Sequence, residues 1–488
     1  MISFLKSILV VCILGFVGFL VSKKSYRDSF DKVLDDVSDF ICKYHLPVFV
    51  LILGLAGILR FLRLGFREVW FDEAFAALLI RRPWEEILSL LVRDVRPPLY
   101  FFVLKAWSNL FGNTDYALRS LSAFLGVGTV AFVYKFANDL FDSRPVASAA
   151  SLVFALNPLL IRYSREAGLF SLLVFLMIGF GYFLYKRKWF TSAVFLSLLL
   201  ITHYSSLLLI PVLIIIWTYF SHEDKKNLVP GILSFVIPGI VLYWWFPYLQ
   251  KQLNIATQIS EIPLKETYAD LFYSFREFFF GLNLGSFISI ILLVSALAGV
   301  VAIFSYKDAK VRQKTFFFLV LSVLPGAALF FAARSFDFTV YFSKALVGYF
   351  SLSLLFVIFL SVKLHKYLGL GLFVVYLFIS LSVQLDRSYQ KDGYEELADY
   401  ARYSDRIMVF TNPFDYTITK YYLSENVWQN IRLQDNSADL SEWVLIASDE
   451  IFVKDKAQEP FYLVNHGSLK GWDSNRIVEE FYLYKWTN

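Results

Sequence analysis

Long apolar runs separated by short polar loops form the dominant pattern of this chain. Most runs are about 15 to 20 residues long with few or no charges, close to the length that a helix needs to cross a bilayer core. Backbone groups inside lipid must be satisfied within the segment, so the runs are predicted to be helices. We predict twelve spans, at residues 3–21, 46–64, 118–136, 145–160, 168–185, 189–203, 205–220, 228–247, 286–305, 315–333, 342–361 and 367–384.

Two apolar stretches have features that are not typical of an ordinary membrane span. Residues 3–21 resemble a signal peptide, but no small-residue cleavage site precedes Lys23 and Lys24, which favours a retained first helix. Residues 98–112 are too short for a span and contain Lys105, so we predict an interfacial or re-entrant helix.

Composition agrees with a multi-pass integral membrane protein. Hydrophobic residues make up 57% of the 488 residues and charged residues 18%, and the mean hydropathy is +0.56, more apolar than a soluble fold of this size. The net charge of +5 comes from short basic clusters rather than a basic stripe on a soluble domain, which argues against a nucleic-acid partner. Two cysteines imply no disulfide framework.

Basic residues in the short loops predict the orientation, because cytoplasmic loops are enriched in lysine and arginine. Clusters at 186–188, 225–226, 307–314 and 363–366 fall on one side, which we assign to the cytoplasm of an inner or plasma membrane. The other side, periplasmic or exterior, then receives loop 65–117, segment 162–166, His203, segment 334–344 and the C-terminal region.

The organisation follows from these spans. We predict an N-terminal helix and linker at 1–45, a transmembrane catalytic domain at 46–385 and a small α/β domain outside the membrane at 386–488. In the last domain the patterns predict helices at 394–402 and 416–423 and strands at 406–410 and 443–446.

The first outer loop contains the strongest candidate chemistry. Asp72, Glu73, Asp94 and Arg96 lie among aromatic residues at the membrane edge, where charges are costly and usually functional. A partly desolvated carboxylate there suits a general base, and a guanidinium suits a phosphate. The alternative is that Asp72 and Glu73 only cap the helix that begins beside them.

Further polar residues fall on the same predicted face. Arg162, Arg165 and Glu166 have i, i+3 and i+4 spacing and would share a helix face. His203 at a hairpin end is either a hydrogen-bonded structural histidine or a metal ligand. The sequence has no phosphate loop, Rossmann fingerprint, H-E-x-x-H or C-x-x-C motif, so a membrane-embedded lipid phosphate is the favoured ligand.

Five segments together resemble a known family. WFDEAF, DVRPPLYFF, DYALRSLSAFLG, NPLLIRYSREAG and LITHYSSLLL resemble, in order and spacing, membrane glycosyltransferases of the C-type fold, in particular the protein-mannosyltransferase and aminoarabinose-transferase-like group (glycosyltransferase family 39 and bacterial relatives). The resemblance implies an inverting transfer from a polyprenyl-phosphate sugar to a lipid, glycan or protein acceptor. A lipid-linked-sugar flippase or transporter is the rival interpretation.

The resemblance also assigns roles to residues. It implies Asp72 as the base, supported by Glu73 and Asp94. The expected substrate-binding residues are Arg96, Tyr100, Arg119, Tyr163, Arg165, Glu166, His203, Arg334 and Lys344. No cofactor is required by the pattern, and Glu73, Asp94 and His203 are the candidate ligands for a divalent metal ion. Many relatives have histidine at the position of Arg96 and arginine at that of Gly168, so Arg96 and Arg165 are expected to contact the donor phosphate instead.

Overall fold

The computed structural model of the protein describes one long stretch and several shorter ones. These are residues 24–259 except 63, 67 and 95, residues 308–329 and 342–364, and parts of 373–486 that include one helix and six strands. The spans predicted at 3–21 and 286–305, and most of the one at 367–384, lie outside the described residues.

The described membrane region is helical throughout. Its first helices are α1 (Lys24–Lys43), α2 (His45–Phe61), α3 (Phe71–Ile80), α4 (Trp84–Arg93), α5 (Leu99–Phe111), α6 (Asp115–Phe141), α7 (Arg144–Leu156) and α8 (Pro158–Ser164). They are followed by α9 (Phe170–Tyr185), α10 (Trp189–Leu200), α11 (Leu209–Glu223), α12 (Leu228–Leu233), α13 (Val236–Ile259), α14 (Ala309–Phe318), α15 (Phe342–Ala345) and α16 (Val347–Leu364). Short 3₁₀ turns at Tyr204–Leu208 and Lys225–Asn227 and a π-helical turn at Leu319–Val323 complete this region.

Several helices coincide with predicted spans. Among the described residues, three helical stretches, Asp115–Phe141, Tyr204–Glu223 and Lys225–Asn254, are long and apolar enough to cross a membrane. The number rises to five if two bent helix pairs each count as one span. The multi-pass character is therefore supported, and the total of twelve spans stays a prediction.

The bend of 60° between α7 and α8 has a local cause. Pro158 has no N–H, so the carbonyl of Phe154 loses the partner that a continuous helix would supply. The buried guanidinium of Arg60 donates to that carbonyl at 3.3 Å, and the Asn157 side chain accepts from the Leu160 N–H at 2.9 Å. Backbone groups on both sides of the break are thus hydrogen-bonded. The bend directs α8 toward the polar cluster described below.

The short stretch at 98–112 is a helix, as predicted. Helix α5 covers Leu99–Phe111, and Lys105 inside it is 9% exposed. Its ammonium donates to the carbonyls of Ile80 at 2.8 Å and Arg82 at 2.5 Å. Lys105 therefore stabilises the C-terminal end of α3, where a cation is favoured by the helix dipole.

The C-terminal region contains a six-stranded mixed sheet in the order β3-β2-β1-β4-β6-β5. Its strands are β1 (Met408–Phe410), β2 (Ile431–Gln434), β3 (Ile451–Phe452), β4 (Phe461–His466), β5 (Ser474–Val478) and β6 (Phe481–Trp486), with helix α17 at Pro413–Tyr422. The predicted strand 406–410 and helix 416–423 overlap β1 and α17. The predicted strand 443–446 and most of the helix at 394–402 lie outside the described residues. The boundary of a separate domain at 386 stays a prediction.

Candidate active site

The adjacent carboxylates Asp72 and Glu73 open helix α3 and have different environments. Trp70 is the N-cap residue of this helix, and Glu73 reaches back to the Trp70 N–H at 3.4 Å, in the manner of a capping box. The capping interpretation is therefore correct for Glu73. No such bond involves Asp72, whose carboxylate instead pairs with side chains from two other segments.

The Glu73 cluster is a buried ion pair. Arg119 donates to both carboxylate oxygens of Glu73, at 2.8 Å from Nε and 2.9 Å from Nη2. The Ala167 N–H adds a third bond of 2.7 Å, and Arg119 also donates to the carbonyls of Leu64 and Glu68. Glu73 is 3% and Arg119 1% exposed. This cluster connects the start of α3, the start of α6 and segment 165–168.

The Asp72 cluster lies beside it and is open to solvent. One oxygen of Asp72 is 3.3 Å from Arg96 Nη2, and the other is 3.0 Å from Lys344 Nζ. Arg96 Nε is 2.7 Å from Asp94 Oδ2, so Arg96 is shared by two carboxylates. The side chain of Asp72 is 35% exposed, whereas that of Asp94 is only 4% exposed. Asp72 is thus the carboxylate of this cluster that solvent reaches.

The two carboxylates of this cluster differ in pKa. Burial raises the pKa of Asp94 to about 6; Arg96 opposes this effect and the negative charge of Asp72 reinforces it. Burial would also raise the pKa of Asp72, but Arg96 and Lys344 outweigh burial and hold that pKa below its ordinary value. Asp72 is therefore ionised at neutral pH while both cations contact it.

Arg96 is held in place by its surroundings as well as by its charges. Its guanidinium lies 4.5 Å from the centre of the Phe75 ring, a cation–π geometry. The buried Gln252 side chain donates to the Arg96 carbonyl at 3.3 Å and to the Leu91 carbonyl at 3.0 Å. Just after the two prolines, the Leu99 N–H donates to the Ile201 carbonyl at 3.0 Å. The backbone of the loop at Arg96 is thus hydrogen-bonded on both sides of the two prolines.

Segment 162–166 contributes an ion pair at the same end of the molecule. Arg162 Nε is 3.2 Å from Glu166 Oε1, and the Arg162 guanidinium lies 5.6 Å from the Trp70 ring centre. Helix α8 ends at Ser164, so Arg165 leaves the shared face and donates to the Leu62 carbonyl at 3.1 Å. The predicted common helix face is therefore wrong, because α8 ends before Arg165 and Glu166. Arg162 and Glu166 nevertheless form an ion pair across the end of the helix.

The remaining predicted residues are more deeply placed. Tyr100 is 1% and Tyr163 8% exposed, and both rings pack in the core. His203 Nδ1 accepts from the Ser205 N–H at 3.2 Å and contacts the Ser205 hydroxyl at 2.8 Å, which caps the turn that follows. Arg334 lies outside the described residues.

The described residues contain no group of three or more His, Cys, Asp or Glu side chains placed to hold a metal ion. Each of the three candidate metal ligands has a protein partner instead. Glu73 pairs with Arg119, Asp94 with Arg96, and His203 bonds within its own turn.

Two tyrosines that the sequence analysis did not select contact the site from α17. The Val69 N–H donates to the Tyr422 hydroxyl at 2.7 Å, immediately before the N-cap of α3. The Tyr421 hydroxyl hydrogen-bonds Asp115 at the start of α6. Helix α17 packs on α3, so the C-terminal region braces the segment that carries Asp72. Two adjacent tyrosines in a polar helix do not by themselves indicate a contact with a distant segment, so only the tertiary structure reveals this role.

Comparisons with known proteins agree with this architecture. The model of the dolichyl-phosphate-mannose-protein mannosyltransferase family matches residues 95–245. An uncharacterized protein of Aquifex aeolicus (strain VF5) is 23% identical over 251 residues, which is 48% of this chain and 49% of that protein. The chain therefore matches about half the length of this curated relative.

Solved structures give the fold. The apo crystal structure of ArnT from Cupriavidus metallidurans superposes with a TM-score of 0.58 at 10% identity, covering 89% of this chain and 97% of that one. The fold is therefore that of ArnT. Together with the family match, this likeness confirms the resemblance predicted from the five sequence segments.

Proposed function

We propose that the protein is an inverting glycosyltransferase that moves a sugar from a polyprenyl-phosphate carrier to a hydroxyl or amine of a lipid, glycan or protein acceptor. The observation that carries the proposal is the Asp72 cluster, a solvent-open carboxylate held between the two cations Arg96 and Lys344. The supporting finding is the match of residues 95–245 to a family whose donor is a polyprenyl-phosphate sugar.

The chemistry is a single displacement at the anomeric carbon. The acceptor oxygen or nitrogen forms the new bond, the bond to the phosphate oxygen breaks, and its electron pair leaves with the phosphate. Asp72 takes the acceptor proton. The departing phosphate gains negative charge, and positioned cations that meet this charge lower the barrier. Arg96 and Lys344 are the described residues in position to do so.

The resting contacts of Asp72 suggest how the base becomes active. A phosphate competes with a carboxylate for guanidinium and ammonium groups, because it offers more charge and more acceptor oxygens. As the donor phosphate draws Arg96 and Lys344 toward itself, Asp72 loses the two charges that keep its pKa low. A carboxylate with a higher pKa is a stronger base, so donor binding prepares Asp72 for the acceptor.

The other predicted residues support this centre in our proposal. Glu73 and Arg119 fix the N-terminal turn of α3, on which Asp72 lies. Arg162 and Glu166, beside the exposed Trp70, form the edge where an acceptor would approach. Asp94 keeps Arg96 oriented through the 2.7 Å contact. Tyr163, Arg165 and His203 shape the surrounding helices.

The proposal places the active site on the non-cytoplasmic face. The basic loops that we assign to the cytoplasm meet at one end of the bundle. Arg187 lies 3.2 Å from Glu223, and Gln313 donates to the same carboxylate at 2.7 Å. The Asp72 and Glu73 clusters are built by the opposite helix ends. A reporter fused after Asn488 is expected to be active only outside the cytoplasm, and cytoplasmic activity would reverse the assignment.

A lipid-linked-sugar flippase is the rival. Transporters place substrate and ion sites near the bilayer midplane between helices, whereas the ion pairs described here gather at the ends of helices. Enzyme and flippase also differ in what they do without a membrane, because only the enzyme breaks a sugar–phosphate bond in detergent.

The decisive experiment compares two carboxylates of similar exposure. Asp72→Asn should reduce sugar transfer from a purified polyprenyl-phosphate sugar by roughly 10²- to 10⁴-fold, the usual contribution of a general base. The matched control is Glu223→Gln, since Glu223 is 36% exposed and has two polar partners at the opposite end. Its activity should remain near that of the wild type. Wild-type turnover by Asp72→Asn, in protein that elutes as a single species in detergent, would refute Asp72 as the base.

A further inference from the structure

Helix α1 (Lys24–Lys43) differs from every other long helix described in the membrane region. Charged side chains occur throughout it, namely Lys24, Arg27, Asp28, Asp31, Lys32, Asp35, Asp36, Asp39 and Lys43. It joins the apolar helix α2 with a bend of 89° at Tyr44. The charges exclude a path through the hydrocarbon core. The bend turns α1 nearly perpendicular to the helix that follows it.

One face of α1 is apolar and exposed among the residues that the structure describes. Tyr26, Val33, Val37 and Phe40 are 48%, 55%, 49% and 56% exposed. With a rotation of about 100° per residue, these four side chains fall within an arc of about 60°. The exposed acids Asp28 and Asp35 lie on the opposite side of the helix. The arc is therefore a continuous apolar stripe along the whole length of α1.

A second face of α1 packs on the protein. Leu34 and Ile41, adjacent to the stripe, are partly buried, and α1 contacts α2 and α7. Arg144 at the start of α7 donates to the Cys42 carbonyl at 3.3 Å. These contacts fix the rotation of α1 about its axis, so the stripe is presented in one direction.

The stripe continues onto the outer surface of the bundle. At the start of α2, Leu46, Val50 and Leu51 are 61%, 58% and 73% exposed. Apolar side chains this exposed on a membrane helix face lipid acyl chains.

We propose that α1 lies in the surface of the bilayer, with Tyr26, Val33, Val37 and Phe40 inserted at the boundary between headgroups and acyl chains. Helices with a large apolar moment and low overall hydrophobicity bind membranes in this way. Helix α1 has four basic and five acidic side chains, so the apolar stripe and not attraction to anionic lipid supplies the binding. Binding therefore needs no anionic lipid, and a zwitterionic monolayer is sufficient as the partner surface. This inference does not depend on the proposed sugar transfer.

The bilayer surface in question is the one at the end of the helix bundle where the basic loops lie. Helix α1 packs against the start of α7, next to Leu140, whose carbonyl accepts from Lys314. The proposed active site is at the other end. By lying in the bilayer surface, α1 would hold the start of α2 at a constant depth. Helix α2 contains Arg60, whose guanidinium bonds the backbone at the break before Pro158.

The test is the depth of spin labels in the full-length protein, reconstituted in phosphatidylcholine nanodiscs after Cys12→Ser and Cys42→Ser. Labels at Val33→Cys and Val37→Cys probe the stripe, and labels at Asp28→Cys and Asp35→Cys are matched controls on the opposite face of α1. We expect the ratio of oxygen to nickel-chelate accessibility to be several-fold higher on the stripe, at a depth of about 5–10 Å. Replacing part of the lipid with phosphatidylglycerol should leave the ratios unchanged.

Two results would overturn the inference. Nickel-chelate access at Val33 and Val37 equal to that at Asp28 and Asp35 would place the stripe in water. Immobile stripe labels that neither reagent reaches, together with dipolar coupling between molecules, would show that a second copy covers the stripe instead of lipid.

Discussion

The neighbouring residues Asp72 and Glu73 belong to two ionic clusters of opposite character. The Glu73 cluster is closed, since Glu73 is 3% exposed and each carboxylate oxygen is bonded by Arg119 and a backbone N–H. The Asp72 cluster is open to solvent. Each carboxylate oxygen of Asp72 has one cationic partner, Arg96 at 3.3 Å or Lys344 at 3.0 Å. A fully satisfied buried pair stabilises a geometry, whereas exchangeable, solvent-open contacts can pass to a substrate.

The largest effect on stability is expected in the closed cluster. Glu73→Gln leaves the buried Arg119 guanidinium without its counter-charge, and breaking a buried pair in this way costs about 3–5 kcal/mol. Thermal unfolding in detergent should show a large decrease in midpoint, with a loss of activity that follows the loss of folded protein.

The control for this prediction removes both charges. Glu73→Gln combined with Arg119→Met eliminates the uncompensated charge, so part of the lost midpoint should return. If Glu73→Gln unfolds at the wild-type temperature, the view of this cluster as a structural support is wrong.

An intermediate effect is expected at Lys344, which is 44% exposed and bonds Asp72 at 3.0 Å. Lys344→Met removes one of the two cations that keep the pKa of Asp72 low, so that pKa rises. Asp72 acts as a base only when ionised, so the acidic limb of the kcat/KM profile for the donor, which reports the donor-free enzyme, should move to higher pH. Loss of a cation that meets the developing phosphate charge should also lower the maximal rate by about 10²- to 10³-fold.

The comparison at Lys344 is Lys344→Arg, which keeps the charge. Its acidic limb should stay at the wild-type position, whatever its maximal rate. An unchanged acidic limb in Lys344→Met would show that Lys344 does not influence the base.

The smallest effects are expected from the tyrosines of α17. Tyr422→Phe removes the acceptor of the Val69 N–H, a bond worth about 1 kcal/mol in stability, and hydrogen exchange of the amides that precede α3 should accelerate. Tyr421→Phe removes a bond to Asp115 on α6 instead and should leave these amides protected. Equal exchange in the two variants would mean that α17 does not brace the Asp72 segment.

The agreement between sequence and structure is greatest where the information is local. Helix α5 follows from a short apolar run, and the spans matching α6 and α9 follow from longer, mostly apolar stretches. The candidate carboxylates Asp72 and Glu73 stand out because charge at the membrane edge is unusual. The i, i+4 spacing also pointed to the Arg162–Glu166 pair, and the two side chains do meet, although Glu166 lies beyond the end of α8.

Partners that are distant in the chain could not be predicted in this way. Glu73 and Arg119 are 46 positions apart, and Asp72 and Lys344 are 272 apart. Their pairing depends on how α3, α6 and α15 pack. Arg165 shows the same limit at short range, because the end of α8 at Ser164 redirects a side chain that ideal helical spacing would have placed beside Arg162.

The sequence by itself determined that this is a helical membrane protein with its candidate chemistry in loop 65–117, because hydrophobic length and charge placement are local properties that lipid constrains strongly. Only the tertiary structure decided which of two adjacent acids supports the fold and which is available for chemistry. Both are carboxylates at the start of α3, separated by about 100° around the helix. That rotation directs Glu73 into a closed pocket with Arg119, and Asp72 outward to Arg96, Lys344 and solvent.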